Sequence, residues 1–119
     1  ADVVVAEYHE GAADGSGDAA SQGGNFAPVY ADTSTDVDVV FNGHTHQVYS
    51  WKDKAGAPLL QAGSYGQHLA KVNVAWNSQQ KKLCSTGASF IAPATTQAGT
   101  TVIGHETAPI TTPSNTSDQ

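Results

Sequence analysis

Two short β-branched apolar runs, set some thirty residues apart, decide most of what this chain can fold into. They are Asp2-Val3-Val4-Val5-Ala6 and Val37-Asp38-Val39-Val40-Phe41. Each is long enough for a strand and too short for a helix. The first is nearly continuous in its apolar character and predicts a strand buried on both faces, as in a parallel sheet covered by helices. Residues 12–24 are Ala, Gly, Ser, Asp and Gln, with nothing to bury, and predict a flexible loop long enough to be functional or disordered. Asn25 to Asp32 then places Phe26, Val29 and Tyr30 at i, i+3 and i+4, which predicts a short helix with Pro28 in its first turn. Strand, loop plus helix, strand is a βαβ unit: two parallel strands joined by a right-handed crossover.

The pattern changes after Phe41. Gln47 to Trp51 alternates, 52–57 is a charged turn, and Pro58 to Ala62 is a further strand halted by Gly63-Ser64-Tyr65-Gly66. Leu69 to Trp76 alternates as a half-buried antiparallel strand. Asn77-Ser78-Gln79-Gln80 turns the chain, and Lys81 to Ala92 returns as its hairpin partner. From Pro93 the composition shifts to Thr, Ala, Gly and Pro, with one strand-like stretch at Thr101 to Ile110 and an apolar-free end expected to be a linker or disordered. The expected class is therefore α/β, a βαβ unit followed by antiparallel strands, over residues 1–92, with 93–119 as a separate segment.

Val, Leu, Ile and Phe account for only 21 of 119 residues, which touches the range where disorder becomes a concern. Those residues are clustered in strand-like runs, and only 13% of the chain is charged, so a small β-dominated unit that gains from a partner is the expectation. A net charge of -6 argues against a nucleic-acid backbone or an anionic membrane as partner. No apolar run approaches the roughly 20 residues of a membrane span. The lone Cys84 excludes an internal disulfide framework and a cysteine zinc site, and its place in an alternating run predicts a small buried residue. The chain opens at Ala1 without an initiator Met and reads as an excised or processed piece. Its composition suits an exported bacterial protein.

The chemistry-bearing residues are histidines. His9 leaves the end of the first strand, and His44 and His46 leave the end of the second through the Asn42-Gly43 turn. In extended backbone, residues at i and i+2 project to one side. Parallel neighbours bring their C-terminal ends to the same sheet edge, where open α/β sheets bind ligands. His9, His44 and His46 are thus predicted to converge on a metal site. Asn-Gly is also a hairpin signal, which would leave these as exposed polar residues. That alternative does not account for each histidine standing just past a strand's C-terminal end. His68 stands at a strand start with no partner spacing and is expected to face solvent or to support the site. His105 carries a weaker signal still.

Three motifs in order resemble those of the calcineurin-like metallophosphoesterases. Asp38-Val39-Val40-Phe41-Asn42-Gly43-His44-Thr45-His46 looks like their Gly-His-Thr-His signature. His9-Glu10-Gly11 after a Val-rich strand resembles the His-x-Gly motif before it. Pro58 to Leu69 looks like the segment after the histidine pair in the 5′-nucleotidase and 2′,3′-cyclic phosphodiesterase branch. The resemblance covers Asp2 to about Ala92, and Ile103 to Thr112 resembles the start of the nucleotidase C-terminal domain. It implies part of a four-layer α/β/β/α sandwich and a site for two divalent metal ions, with His9 and His44 on one and His46 on the other. It implies hydrolysis of nucleoside monophosphates or related small phosphoesters, outside the cytoplasm: extracellular, in the cell wall or periplasmic. Imidazole suits Zn²⁺, Mn²⁺ and Fe alike.

The family's earlier motifs, Asp-x-His, Gly-Asp-x-x-Asp and Gly-Asn-His-Asp/Glu, are absent from the sequence, and with them the bridging carboxylate and the histidine that assists the leaving group. The resemblance therefore implies the C-terminal half of the domain, its site completed by a missing N-terminal half, with no catalytic residue of its own and poor activity alone. The alternatives are a noncatalytic metal-binding or structural fragment and a mononuclear three-histidine metal binder.

Overall fold

The structure, a computed structural model, describes residues 1–91. The strand-like stretch Thr101 to Ile110, His105 and the segment 93–119 lie outside the described residues. Six strands and one helix follow in the order β1 (Val5–Tyr8), α1 (Phe26–Asp32), β2 (Val39–Asn42), β3 (Val48–Lys52), β4 (Pro58–Ala62), β5 (Leu69–Asn77) and β6 (Lys82–Ile91), with a 3-10 turn at Ala19–Ser21 before α1. The first four strands form one mixed sheet in the order β1-β2-β4-β3, and β5 and β6 form a separate hairpin.

β1 and β2 run parallel, with Val5 opposite Val39 and Tyr8 opposite Asn42, so both end at one sheet edge. Asp38 fastens their start: its carboxylate accepts from the Val4 N–H at 2.8 Å, and its own N–H donates to the Val4 carbonyl at 2.8 Å. β2 also pairs in parallel with β4, through Val40–Leu59 and Phe41–Leu60, while β3 runs antiparallel to β4 over Val48–Lys52.

The expected α/β class, and the four-layer α/β/β/α sandwich implied by the family resemblance, are overturned. Strand accounts for 41% and helix for 11% of the described residues, a small β-rich fold with one helix. The reason lies in the connections. The chain passes from β2 to its parallel neighbour β4 through the antiparallel strand β3, not through a second helix. α1 spans only seven residues.

The core lies where α1 and the preceding loop cover the sheet. Phe26, 1% exposed, meets Tyr49 and Trp51 edge-on at 6.1 Å each, and those two rings, at i and i+2 on β3, stack at 4.1 Å. Val29 and Tyr30 pack against the same cluster, as the helical spacing predicts. Residues 12–24 are not the structureless loop that their composition suggests. Ala12 and Ala19 are buried in the core, and two aspartates organise the turns between them. Asp14 accepts from the Ser16 N–H and hydroxyl, and Asp18 caps the 3-10 turn through the Ser21 N–H. Small side chains let this backbone come close to the sheet, a signal that hydropathy does not register.

Two further expectations are corrected. β1 is an edge strand, not one buried on both faces, and Val4 and Val5 are exposed. Cys84 is exposed as well, because the hairpin bearing it leaves much of its surface open. The hairpin turn forms at the expected place, with the Asn77 side chain accepting from the Gln79 and Gln80 N–H groups.

Candidate metal centre

β1 ends at Tyr8 and β2 at Asn42, which are partners in the parallel register, so His9 and Gly43 leave the sheet side by side. The rings of His9 and His44 lie 5.1 Å apart between centroids, tilted by 59°. Two imidazoles sharing one tetrahedral ion at about 2.0–2.1 Å would stand with centroids ~5 Å apart. A Cβ at Gly43 would stand 3.9 Å from His9 Nδ1, an ordinary van der Waals contact, so the turn passes directly beside the His9 ring. At the ends of β1 and β2 a cleft of about 310 Å³ is lined by Glu7, Tyr8, His9, Phe41, Asn42 and Gly43.

His46 is placed differently. Its ring meets Tyr65 edge-on at 5.8 Å. The expected projection of His44 and His46 to one side assumed extended backbone, and the backbone here is left-handed, with φ of 75° at His44 and 62° at His46. β2 has already ended, and the Thr45 N–H donates to the Gly43 carbonyl at 2.9 Å, bending the chain between the histidines. Among the described residues no group of three or more His, Cys, Asp or Glu side chains gathers around a common point. The structure thus brings the rings of His9 and His44 together and sets the ring of His46 against Tyr65. The His68 ring meets Phe90 edge-on at 6.1 Å.

Left-handed backbone at a bulky residue costs roughly 1–3 kcal/mol and collects at functional sites. Four described non-glycine residues have positive φ: His44, His46, Tyr65 and Lys81. Lys81 belongs to the β5–β6 turn; the other three are the two histidines and the ring that touches one of them.

Below the histidines lies a polar network that the sequence reading missed. Gln61 on β4, 1% exposed, donates through Nε2 to the Thr45 hydroxyl at 2.9 Å and to the Tyr49 hydroxyl at 3.0 Å. Tyr49 accepts from the Ala12 N–H at 3.2 Å as well and donates to Asn42 Oδ1 at 3.0 Å. Both acceptor positions and the single proton of the Tyr49 hydroxyl are therefore in use. That fixes the Asn42 amide with its oxygen toward Tyr49. Its Nδ2 is left buried without a hydrogen-bond partner. Burial holds the Tyr49 phenol above its ordinary pKa of 10.0, opposed by the hydrogen bonds from Ala12 and Gln61. One sequence signal could have found this network: Gln61 is a polar residue in the middle of the otherwise apolar run Pro58 to Ala62.

No protein-family model, curated protein or solved structure matches the chain. What the site does must therefore be argued from its own groups. Two imidazoles at ligand spacing fit one edge of a transition-metal or zinc site, and the buried, unpaired Asn42 N–H is a donor suited to an anionic oxygen. Among the described residues no helix is long and apolar enough to cross a membrane.

Proposed function

We propose that this chain carries the histidine part of a metal-dependent phosphoester hydrolase site of 5′-nucleotidase type, acting on nucleoside monophosphates or similar small phosphoesters outside the cytoplasm. The observation that carries the proposal is the His9–His44 pair, 5.1 Å apart at the ends of adjacent parallel strands. Residues thirty-five positions apart in sequence meet at a spacing that one ion would span. The ordered motif resemblance supplies the reaction class.

Divalent ions in such a site, about 3.5–4 Å apart, supply Lewis-acid polarisation of a phosphoryl oxygen and a nucleophile at neutral pH. His9 and His44 would hold one ion and His46 the other. The remaining donors, including a bridging carboxylate, would come from outside the described residues. The chain's own contribution is orientation. Thr45 and Gln61 fix the loop that carries both histidines, and Asn42 lines the cleft together with His9.

The test is hydrolysis of a generic aryl phosphate and of a nucleoside monophosphate in Mn²⁺, with metal content measured on the same material. Turnover that His44→Ala abolishes supports the proposal. Metal binding without turnover, in the presence of any copurifying polypeptide, supports a second reading: a noncatalytic metal-binding module. That reading is favoured by the absence, among the described residues, of a carboxylate grouped with the histidine pair.

A further inference from the structure

The two histidines present a mechanical problem. His44 and His46 both sit in left-handed backbone, and both side chains are exposed, so burial of their rings does not hold them there. The ring beside His46 is Tyr65, itself 87% exposed. Strained backbone persists only where its surroundings over-determine it.

The restraint lies between them. Thr45 is tied three ways: its N–H donates to the Gly43 carbonyl, its hydroxyl accepts from Gln61 Nε2 at 2.9 Å, and the same hydroxyl donates to Gln61 Oε1 at 3.3 Å. Gln61 cannot yield, because it is buried on β4 and shares its second amide proton with Tyr49, which in turn is fixed by Ala12 and Asn42. The loop is fastened once more after His46, where the Gln47 carbonyl accepts from the Gly63 N–H at 2.9 Å. Gly11 closes the arrangement from below. A Cβ at that position would stand 2.3 Å from Gln61 Nε2 and 2.6 Å from Thr45 Oγ1, so the clasp occupies space that only glycine leaves free.

We infer that Thr45 is the positioning residue of this site: its hydroxyl, clasped by buried Gln61, holds the flanking His44 and His46 in left-handed backbone and so sets the direction of both imidazoles. The consequence for metal rests on the metallophosphoesterase reading; the consequence for the backbone does not. Thr45 is placed here as a positioning residue and not as a ligand. It acts through its two neighbours.

The experiment compares Thr45→Val, which keeps the shape and loses the hydroxyl, with Thr45→Ser, which keeps the hydroxyl. On the metal-free full chain, the intraresidue amide-to-α-proton NOEs of His44 and His46 report positive φ directly, and near-ultraviolet circular dichroism reports the fold. Both NOEs are expected strong in wild type and Thr45→Ser, and weak in a folded Thr45→Val. Strong NOEs in a folded Thr45→Val overturn the inference. If that variant does not fold, Gln61→Met, which breaks the clasp from the other side, is judged by the same NOEs. Co²⁺ titration followed in the visible spectrum gives the second readout. Thr45→Val should lose about 10–100-fold in affinity while Thr45→Ser stays within about twofold of wild type. Equal Co²⁺ affinity in all three overturns the positioning role. Wild type that binds no Co²⁺, yet loses its NOEs in Thr45→Val, sinks the metal reading and leaves the backbone inference standing.

Discussion

Gly11→Ala should be among the most damaging single-methyl additions in this protein. The ideal Cβ would stand 2.3 Å from Gln61 Nε2, 2.6 Å from Thr45 Oγ1 and 2.6 Å from the Gly43 carbonyl oxygen. Contacts under 3 Å force something to move, and Gly43 is backbone beside the strained His44, with little freedom to retreat. Overpacking a tight site costs about 1–3 kcal/mol. Separating Gln61 from Thr45 adds the loss of a buried hydrogen bond, about 1 kcal/mol. The expected cost is therefore about 3 kcal/mol, a large fraction of the roughly 5–15 kcal/mol that holds a native fold together. Urea unfolding followed by tryptophan fluorescence measures it, with Trp51 in the main sheet and Trp76 in the hairpin. The control is Gly23→Ala. Nothing lies within 4 Å of a Cβ there, and its φ is ordinary, so the change should be neutral or stabilise by roughly 0.4–1 kcal/mol. A Gly11→Ala variant within about 0.5 kcal/mol of wild type would refute the packing described around Gln61.

Other outcomes follow from the same geometry. His44→Gly and His46→Gly should each stabilise the metal-free chain by about 1 kcal/mol, measured by urea titration, because glycine adopts positive φ without strain; only His44→Gly should also remove the first metal ion. Tyr49→Phe leaves the Ala12 N–H, one Gln61 proton and Asn42 Oδ1 without their partner, and should cost about 2–4 kcal/mol in the same assay. The raised pKa of Tyr49 means the folded state keeps a proton that the unfolded state loses near pH 10. Stability should therefore fall as pH rises above 10, and tyrosinate absorbance should show one phenol of the folded chain ionising above the ordinary tyrosine range.

The strands were legible because β-branched runs and alternation are local signals. β4 falls on Pro58–Ala62 as read, and the βαβ crossover brings His9 and His44 together as the register of β1 and β2 requires. The class was misread because a Val-rich run suggested two buried faces, whereas β1 lies at an edge, and because nothing local shows that β3 rather than a helix leads from β2 to β4. His44 and His46 were expected side by side on the strength of extended backbone. Asn42-Gly43 marked the turn, yet the unusual angles fell on the histidines themselves, forced by Thr45 reaching to a glutamine sixteen residues away. Ala12 and Ala19 were passed over because small residues carry almost no hydropathy signal even when fully buried.

The most direct measurement is calorimetric Zn²⁺ titration of wild type, His9→Ala, His44→Ala, the double variant and His46→Ala. If His9 and His44 share one ion, each single substitution abolishes that binding event, the double variant loses nothing more, and His46→Ala keeps it. A His9→Ala chain that binds zinc as wild type does would contradict the shared site at the ends of β1 and β2.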